Sequence, residues 1–251
     1  MIKYLVLLLS FIFLSCSIDT HNTIIHNKIK NKINAFIFLR KVMIIEADDI
    51  RLTANLSTAS GVCIEHKNVK KYHSILSVSH FCMLDEEHSR HMFNALTSIV
   101  DMNSYNQQNP NIQISQIIEA IRYDGEIMKA TIKKIDKKND LCLLELENQS
   151  CLNTVIIEKN LPENNIYAYN YAAPLSLFAP GSVLTFSGFY AGTDLERDMI
   201  FTIPATFGSS GSPVMNSDFR LISIMKLAYD KFNQVSYGIN LLSINKFLND
   251  K

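Results

Sequence analysis

Apolar and polar positions alternate along most of the chain in short runs rather than in long helical stretches. Residues 60–64, 74–79, 112–122, 127–135 and 141–146 combine β-branched and aromatic side chains and are bounded by polar turn residues, which is the pattern of strands in an all-β sandwich or barrel. A second set repeats the style at 154–157, 165–169, 182–190, 199–203, 214–215, 221–227 and 235–239. The join between the sets, near 148–160, predicts two lobes. Tyr123, Asp124 and Gly125 lie between two strand patterns, where Asp-Gly supplies the positive φ angles of a tight hairpin. Helical spacing is confined to 85–100, with Met92, Phe93 and Leu96 on one face, and to 241–248 at the end of the chain.

The N-terminal segment follows a different pattern. Lys3 is followed by an apolar run from Leu5 to Leu14 and then by Ser15 and Cys16. That run is too short to span a bilayer and has the size of a signal-peptide core. Residues 1–16 are therefore expected to direct export. Cys16 is a candidate lipid acceptor, because its place after the run resembles that in bacterial lipoproteins, although Phe13 and Leu14 stand where those signals carry Leu and a small residue. Residues 17–50 read as a tether leading into a first helix or strand. The expected division is then 51–150 for a first lobe and 151–251 for a second.

Composition narrows the possible roles. Twenty-four basic and 24 acidic side chains give a formal net charge of zero over 251 residues, so the chain lacks the positive field that nucleic-acid binding requires. Four cysteines besides Cys16, at 63, 82, 142 and 151, permit disulfides in an exported protein, with three pairings open. Cys142 lies inside an apolar strand pattern and is expected to be a buried free thiol. The Phe and Tyr residues are expected to fill two small cores.

Chemistry concentrates in residues 207–214, F-G-S-S-G-S-P-V. A hydroxyl nucleophile needs a sharp turn that exposes its oxygen, with free backbone N–H groups to receive a developing oxyanion, and Gly208 and Gly211 around Ser210 meet that steric demand. The segment resembles the G-x-S-G-G-P signature of trypsin-like serine proteases, with Ser212 in place of the usual glycine. That resemblance implies Ser210 as nucleophile and the N–H groups of Gly208 and Ser210 as the oxyanion hole.

Two further segments extend the likeness. Residues 75–80, I-L-S-V-S-H, form an apolar strand ending in a histidine, similar to the family's first-barrel strand before its catalytic histidine, with Ser79 at the usual alanine. Residues 124–146, D-G-E-I-M-K-A-T-I-K-K-I-D-K-K-N-D-L-C-L-L-E-L, resemble the bacterial HtrA-type stretch that delivers the catalytic aspartate. Asp140 takes that role, and Asp136 reads as a turn residue. The order His80, Asp140, Ser210 agrees with chymotrypsin-like enzymes, whereas α/β-hydrolases run Ser, acid, His and subtilisins run Asp, His, Ser.

The likeness covers about residues 55–248 and leaves no length for a PDZ domain. It implies two six-stranded antiparallel β-barrels of chymotrypsin-like form closed by a C-terminal helix. It also implies a serine endopeptidase that needs no metal or cofactor and acts on protein or peptide substrates. The pocket for the residue before the scissile bond would be lined by 203–206, including Pro204 and Ala205, and by Met225 and Leu227. With no acidic side chain there, a preference for small or medium apolar residues is expected.

Two other readings compete. A pseudoprotease that binds peptides without turnover is motivated by Ser212, Ser79 and crowding by Leu227. A metal site on His88 and His91 lacks a third ligand at fixed spacing, so a solvated charged helix face is the simpler reading. His21, His26, His66 and His73 read as surface or packed residues.

Overall fold

The computed structural model describes residues 32–47, 50–83, 113–229 and 232–250. The segment expected to direct export, Cys16 and the helix expected at 85–100, with His88 and His91, lie outside the described residues.

The first sheet contains β1 (Phe36–Ala47), β2 (Ile50–Glu65), β3 (Ser74–Ser77), β4 (Gln113–Arg122), β5 (Ile127–Asp136), β6 (Leu141–Leu146) and β7 (Val155–Ile156). Its order is β1-β4-β5-β6-β3-β2, and β1 pairs back onto β2, so six antiparallel strands close into a barrel while β7 adds to β2 in parallel. Closure removes the exposed edges that an open sheet would present.

The second sheet contains β8 (Tyr167–Ala172), β9 (Phe178–Ala179), β10 (Ser182–Thr193), β11 (Met199–Phe201), β12 (Pro213–Met215), β13 (Leu221–Ala228) and β14 (Ser236–Gly238). It runs β11-β14-β13-β12-β8-β10 and closes through β10 and β11, with β9 added to β10.

The expected pair of six-stranded barrels is therefore present, with one correction at its start. The stretch read as a tether contains β1, which is paired along its length to both β2 and β4, so the first barrel begins by Phe36 rather than at residue 51. Periodicity concealed this strand because both of its faces are covered: Phe36, Ile37, Leu39, Val42, Met43 and Ile45 are all buried. A strand buried on both sides reads as a continuous apolar run, without alternation. Phe38 stacks on Phe178 with ring centroids 5.2 Å apart, so the outer face of β1 meets the second barrel.

Helix α1 (Ser79–Cys82) follows β3, and α2 (Leu241–Asn249) closes the described chain. Asn240 caps α2 by accepting from the Leu242 N–H at 2.9 Å, and Leu241, Ile244, Phe247 and Leu248 form its buried face. Lys134 of the first barrel donates to the carbonyl of Phe247 at 2.6 Å, so α2 fastens the two barrels together. The expected turn at 123–125 joins β4 to β5, with Gly125 alone at positive φ (93°) and Asp124 contributing its side chain to the Glu126 N–H.

The cysteines correct another expectation. Cys142 is disulfide-bonded to Cys82, and Cys63 to Cys151. Periodicity placed Cys142 correctly in the core but was blind to the partner that α1 brings from 60 residues away. Closing a loop of that length is worth about 4 kcal/mol in the chain-entropy account.

Candidate active site

The site lies where the two barrels meet, and its first half is built on α1 and the β5–β6 turn. Val78 follows β3 in an extended conformation, and the chain then makes the single turn Ser79–Cys82 that carries His80. The Ser79 N–H donates to the carbonyl of Asp140 at 3.1 Å. Asp136 ends β5 and caps the turn, accepting from both the backbone and the side chain of Asn139, which agrees with its reading as a turn residue. Asp140 then adopts φ 54°, a left-handed conformation that Asp tolerates better than most residues.

That geometry brings the Asp140 carboxylate against α1. Its Oδ2 lies 2.8 Å from His80 Nδ1, while Oδ1 accepts from the His80 N–H at 3.0 Å and from the Ser79 hydroxyl at 2.9 Å. An ionised carboxylate only accepts, so Nδ1 carries the proton and Nε2 is left as a base. Burial alone would raise the Asp140 carboxyl. The His80 ring bond and charge, the His80 N–H and the Ser79 hydroxyl outweigh it and hold the group below the ordinary carboxylate range. The Cys82–Cys142 bridge clamps the same two elements two residues beyond each of these side chains. Buried Lys41 on β1 donates to the carbonyl of Met83 at 2.6 Å just past α1.

The second half is the loop between β11 and β12. Gly208 and Gly211 take φ of 87° and 84°. A side chain at Gly208 would collide with Ala173 O, and one at Gly211 with Ser60 O and the Ser77 hydroxyl. Glycine is therefore required at both positions by backbone angle and by space.

Ser60 on β2 ties this loop to the first barrel. Its N–H donates to Ser210 O and its hydroxyl to Gly208 O, each at 2.8 Å, while the Ser77 hydroxyl donates to Ser60 O at 2.8 Å. On the other side Gly211 N–H donates to Met225 O at 2.8 Å and Met225 N–H to Ser212 O at 2.9 Å. The Ser210–Ser212 backbone is thus fixed between strand β2 and strand β13. Among the described residues, neither the Gly208 N–H nor the Ser210 N–H is donated to a protein acceptor.

The Ser210 hydroxyl donates to the carbonyl of Lys226 at 3.3 Å, and among the described residues no hydrogen bond joins it to His80. Lys226 continues β13, with its ammonium on Asp198 at 2.6 Å.

Ser212, the departure from the glycine of the signature, is buried and accommodated. Asn170 on β8 donates to its hydroxyl at 2.7 Å and to Pro213 O at 3.0 Å. Of the expected substrate-binding residues, Met225 is wholly buried in the core and Ala205 nearly so, Pro204 is half-buried, and Leu227 is exposed. Phe207, next to Gly208 in the chain, is exposed as well. A cavity of about 920 Å³ lined by Glu65, His66, Lys71, Ile156 and Leu242 includes none of His80, Asp140 and Ser210.

Sequence reasoning missed Ser60, Ser77, Lys41 and Asn170 because their work is done across strands distant in the chain. Ser79 was visible only as a departure from alanine; its hydroxyl bond to Asp140 is what that departure supplies.

No curated protein matches the chain. The family model of the trypsin-like peptidase domain matches residues 59–224, more than half of the chain and a segment holding His80, Asp140 and Ser210. With its two closed six-stranded barrels and that match, the chain belongs to the trypsin-like peptidase family.

Proposed function

We propose that the protein is a serine endopeptidase that works through an acyl-enzyme, with Ser210 as nucleophile, His80 as base and Asp140 as the carboxylate that orients it. The observation that carries this reading is the His80–Asp140 pair, bonded at 2.8 Å with Nε2 left over, beside a loop whose Gly208 and Ser210 amides are unspent. Ser210 attacks a peptide carbonyl as His80 Nε2 takes its proton, and the two amides receive the oxyanion. The imidazolium, steadied by Asp140, then protonates the leaving amine; water repeats the sequence to release the acyl group. Before this, the Ser210 hydroxyl leaves the Lys226 carbonyl, a change of one staggered side-chain torsion. An extended substrate whose N–H takes that carbonyl drives the change.

The proposed setting is the cell envelope or the space outside the cell. The apolar run before Cys16 supports it, and so do the disulfides Cys63–Cys151 and Cys82–Cys142, which persist in oxidising compartments. Cys16 is the proposed point of attachment if the chain is tethered.

The Ser210–Lys226 bond also favours a second reading, a trypsin-fold binding protein without turnover. A fluorophosphonate probe separates them. Labelling that disappears in Ser210→Ala and in His80→Ala supports the peptidase; a folded protein that takes up no probe supports the binder.

A further inference from the structure

Helix α2 reaches the turn that carries Asp140. Its Ser243 hydroxyl donates at 3.1 Å to the side-chain oxygen Oδ1 of Asn139, the residue just before Asp140. The other end of that amide is used as well: Asn139 Nδ2 donates to Asp136 Oδ2 at 2.6 Å, and the Asn139 N–H donates to Asp136 Oδ1 at 3.1 Å. Asparagine suits this place, because its side chain can accept from a hydroxyl and donate to a carboxylate at the same time. An aspartate would turn an oxygen toward the Asp136 carboxylate.

A second brace lies on β5. Lys134 donates to the carbonyls of Phe247 and Asp250 at 2.6 and 2.7 Å, and its ammonium lies 4.8 Å from the centre of the Phe247 ring. Strand β5 and the turn after it are thus each bonded to α2. The helix is in turn anchored in the second barrel: Leu241 and Ile244 are buried, Asn240 Nδ2 donates to Arg197 O at 2.8 Å, and the Ile239 N–H just before the helix donates to Ile224 O on β13 at 2.8 Å. The same β13 supplies the Lys226 carbonyl that accepts from Ser210.

Asp140 is left-handed at φ 54°, and its carboxylate is shared among the His80 ring, the His80 N–H and the Ser79 hydroxyl. Backbone of that kind persists where its surroundings over-determine it. The Asn139–Asp140 peptide is a rigid plane, so bonds that fix Asn139 limit where the Asp140 carboxylate can lie.

We infer that Asn139 and Ser243 are positioning residues for the proposed His80–Asp140 pair, through which α2 transmits the placement of the second barrel to the Asp140 carboxylate. Their effect on turnover rests on the proposed endopeptidase function; their effect on the pair itself does not.

The test uses the full chain carrying Ser243→Ala, Asn139→Ala or Asn139→Asp, with Ser243→Thr as the conservative rescue. Asn245→Ala is the control, since it removes an α2 bond to Glu158 O at 3.0 Å without touching the Asp140 turn. Hydrolysis of a p-nitrophenyl ester gives kcat and KM, and two-bond ¹H–¹⁵N spectra of the neutral imidazole show which nitrogen of His80 carries the proton. Ser243→Ala and Asn139→Ala are each expected to lower kcat about two- to tenfold with KM unchanged, the range for one neutral hydrogen bond, and Asn139→Asp to lower it further. In the same three variants the ring proton, held on Nδ1 in the parent, is expected to become shared between the two nitrogens. Ser243→Thr is expected to match the parent in both readouts, and Asn245→Ala to lose stability alone. Parent-like kcat and ring spectra in folded Ser243→Ala and Asn139→Ala, or the same changes in Asn245→Ala, would overturn the inference while leaving the peptidase reading in place. A parent protein that takes up no fluorophosphonate at Ser210 would instead overturn the peptidase reading, and the ring spectra alone would then decide whether Asn139 and Ser243 place the carboxylate.

Discussion

In the first barrel the imidazole and carboxylate already meet, with His80 Nδ1 2.8 Å from Asp140 Oδ2 and a disulfide locking α1 to β6. In the second barrel the Ser210 hydroxyl is turned to the Lys226 carbonyl, on a loop of glycines and serines held by backbone bonds. The contrast is one of attachment. The proposed acid–base half is fastened by covalent and charge-assisted bonds, which are the stronger kinds, whereas the side chain of the proposed nucleophile is held by one hydrogen bond between neutral groups. Under the proposed function, such a site would hold its general base ready before substrate arrives and engage its nucleophile afterwards.

The sharpest way to break the comparison is to remove either half. Ser210→Ala and His80→Ala are each expected to lower kcat by about 10⁶-fold, and the double variant to be no worse, because such groups act as a unit; single-turnover peptide hydrolysis measures this. Asp140→Asn, which keeps the shape but favours the wrong tautomer, is expected to cost about 10⁴-fold in kcat.

The disulfides sharpen the contrast further. Cys82→Ala/Cys142→Ala and Cys63→Ala/Cys151→Ala are each expected to lose about 2–4 kcal/mol of stability in denaturant titrations. Under conditions where both remain folded, only the first pair is expected to lower kcat, since only Cys82–Cys142 joins the elements that carry His80 and Asp140.

Ser79→Ala removes a hydrogen bond to a charged group, worth about 1.5–3 kcal/mol. It is expected to lower kcat with KM unchanged and to raise the Asp140 pKa.

The smallest effect is on acid stability. Because the folded Asp140 carboxyl titrates below its unfolded value, its contribution is complete above the unfolded value of about 4 and is lost as pH falls through the lower folded value. Denaturation midpoints measured at falling pH are expected to drop less steeply below pH ~4 in Asp140→Asn than in the parent.

What the sequence made legible follows from range. The strand runs at 127–135 and 141–146, the helix at 241–248 and the turn at Asp124-Gly125 are local patterns, and they closely match β5, β6, α2 and the β4–β5 turn. Strand β1 escaped because burial on both faces erased its alternation. The Cys82 partner of Cys142, the Ser79 bond to Asp140 and the Ser60 bridge to Gly208 and Ser210 were invisible because each joins positions at least 60 residues apart. His80, Asp140 and Ser210 were singled out by resemblance in short segments. Their geometry shows a bonded His80–Asp140 pair and a Ser210 hydroxyl turned to Lys226 O, which no linear pattern encodes.

One measurement tests the central claim most directly: intact-mass and peptide-mapping analysis of the protein quenched in acid milliseconds after mixing with a p-nitrophenyl ester. Convergence of Ser210 with His80 and Asp140 predicts a burst of nitrophenol matched by one acyl group on the peptide carrying Ser210, both lost in Ser210→Ala and in His80→Ala. A folded protein that shows no burst, or one whose acyl group maps elsewhere and survives Ser210→Ala, would contradict it.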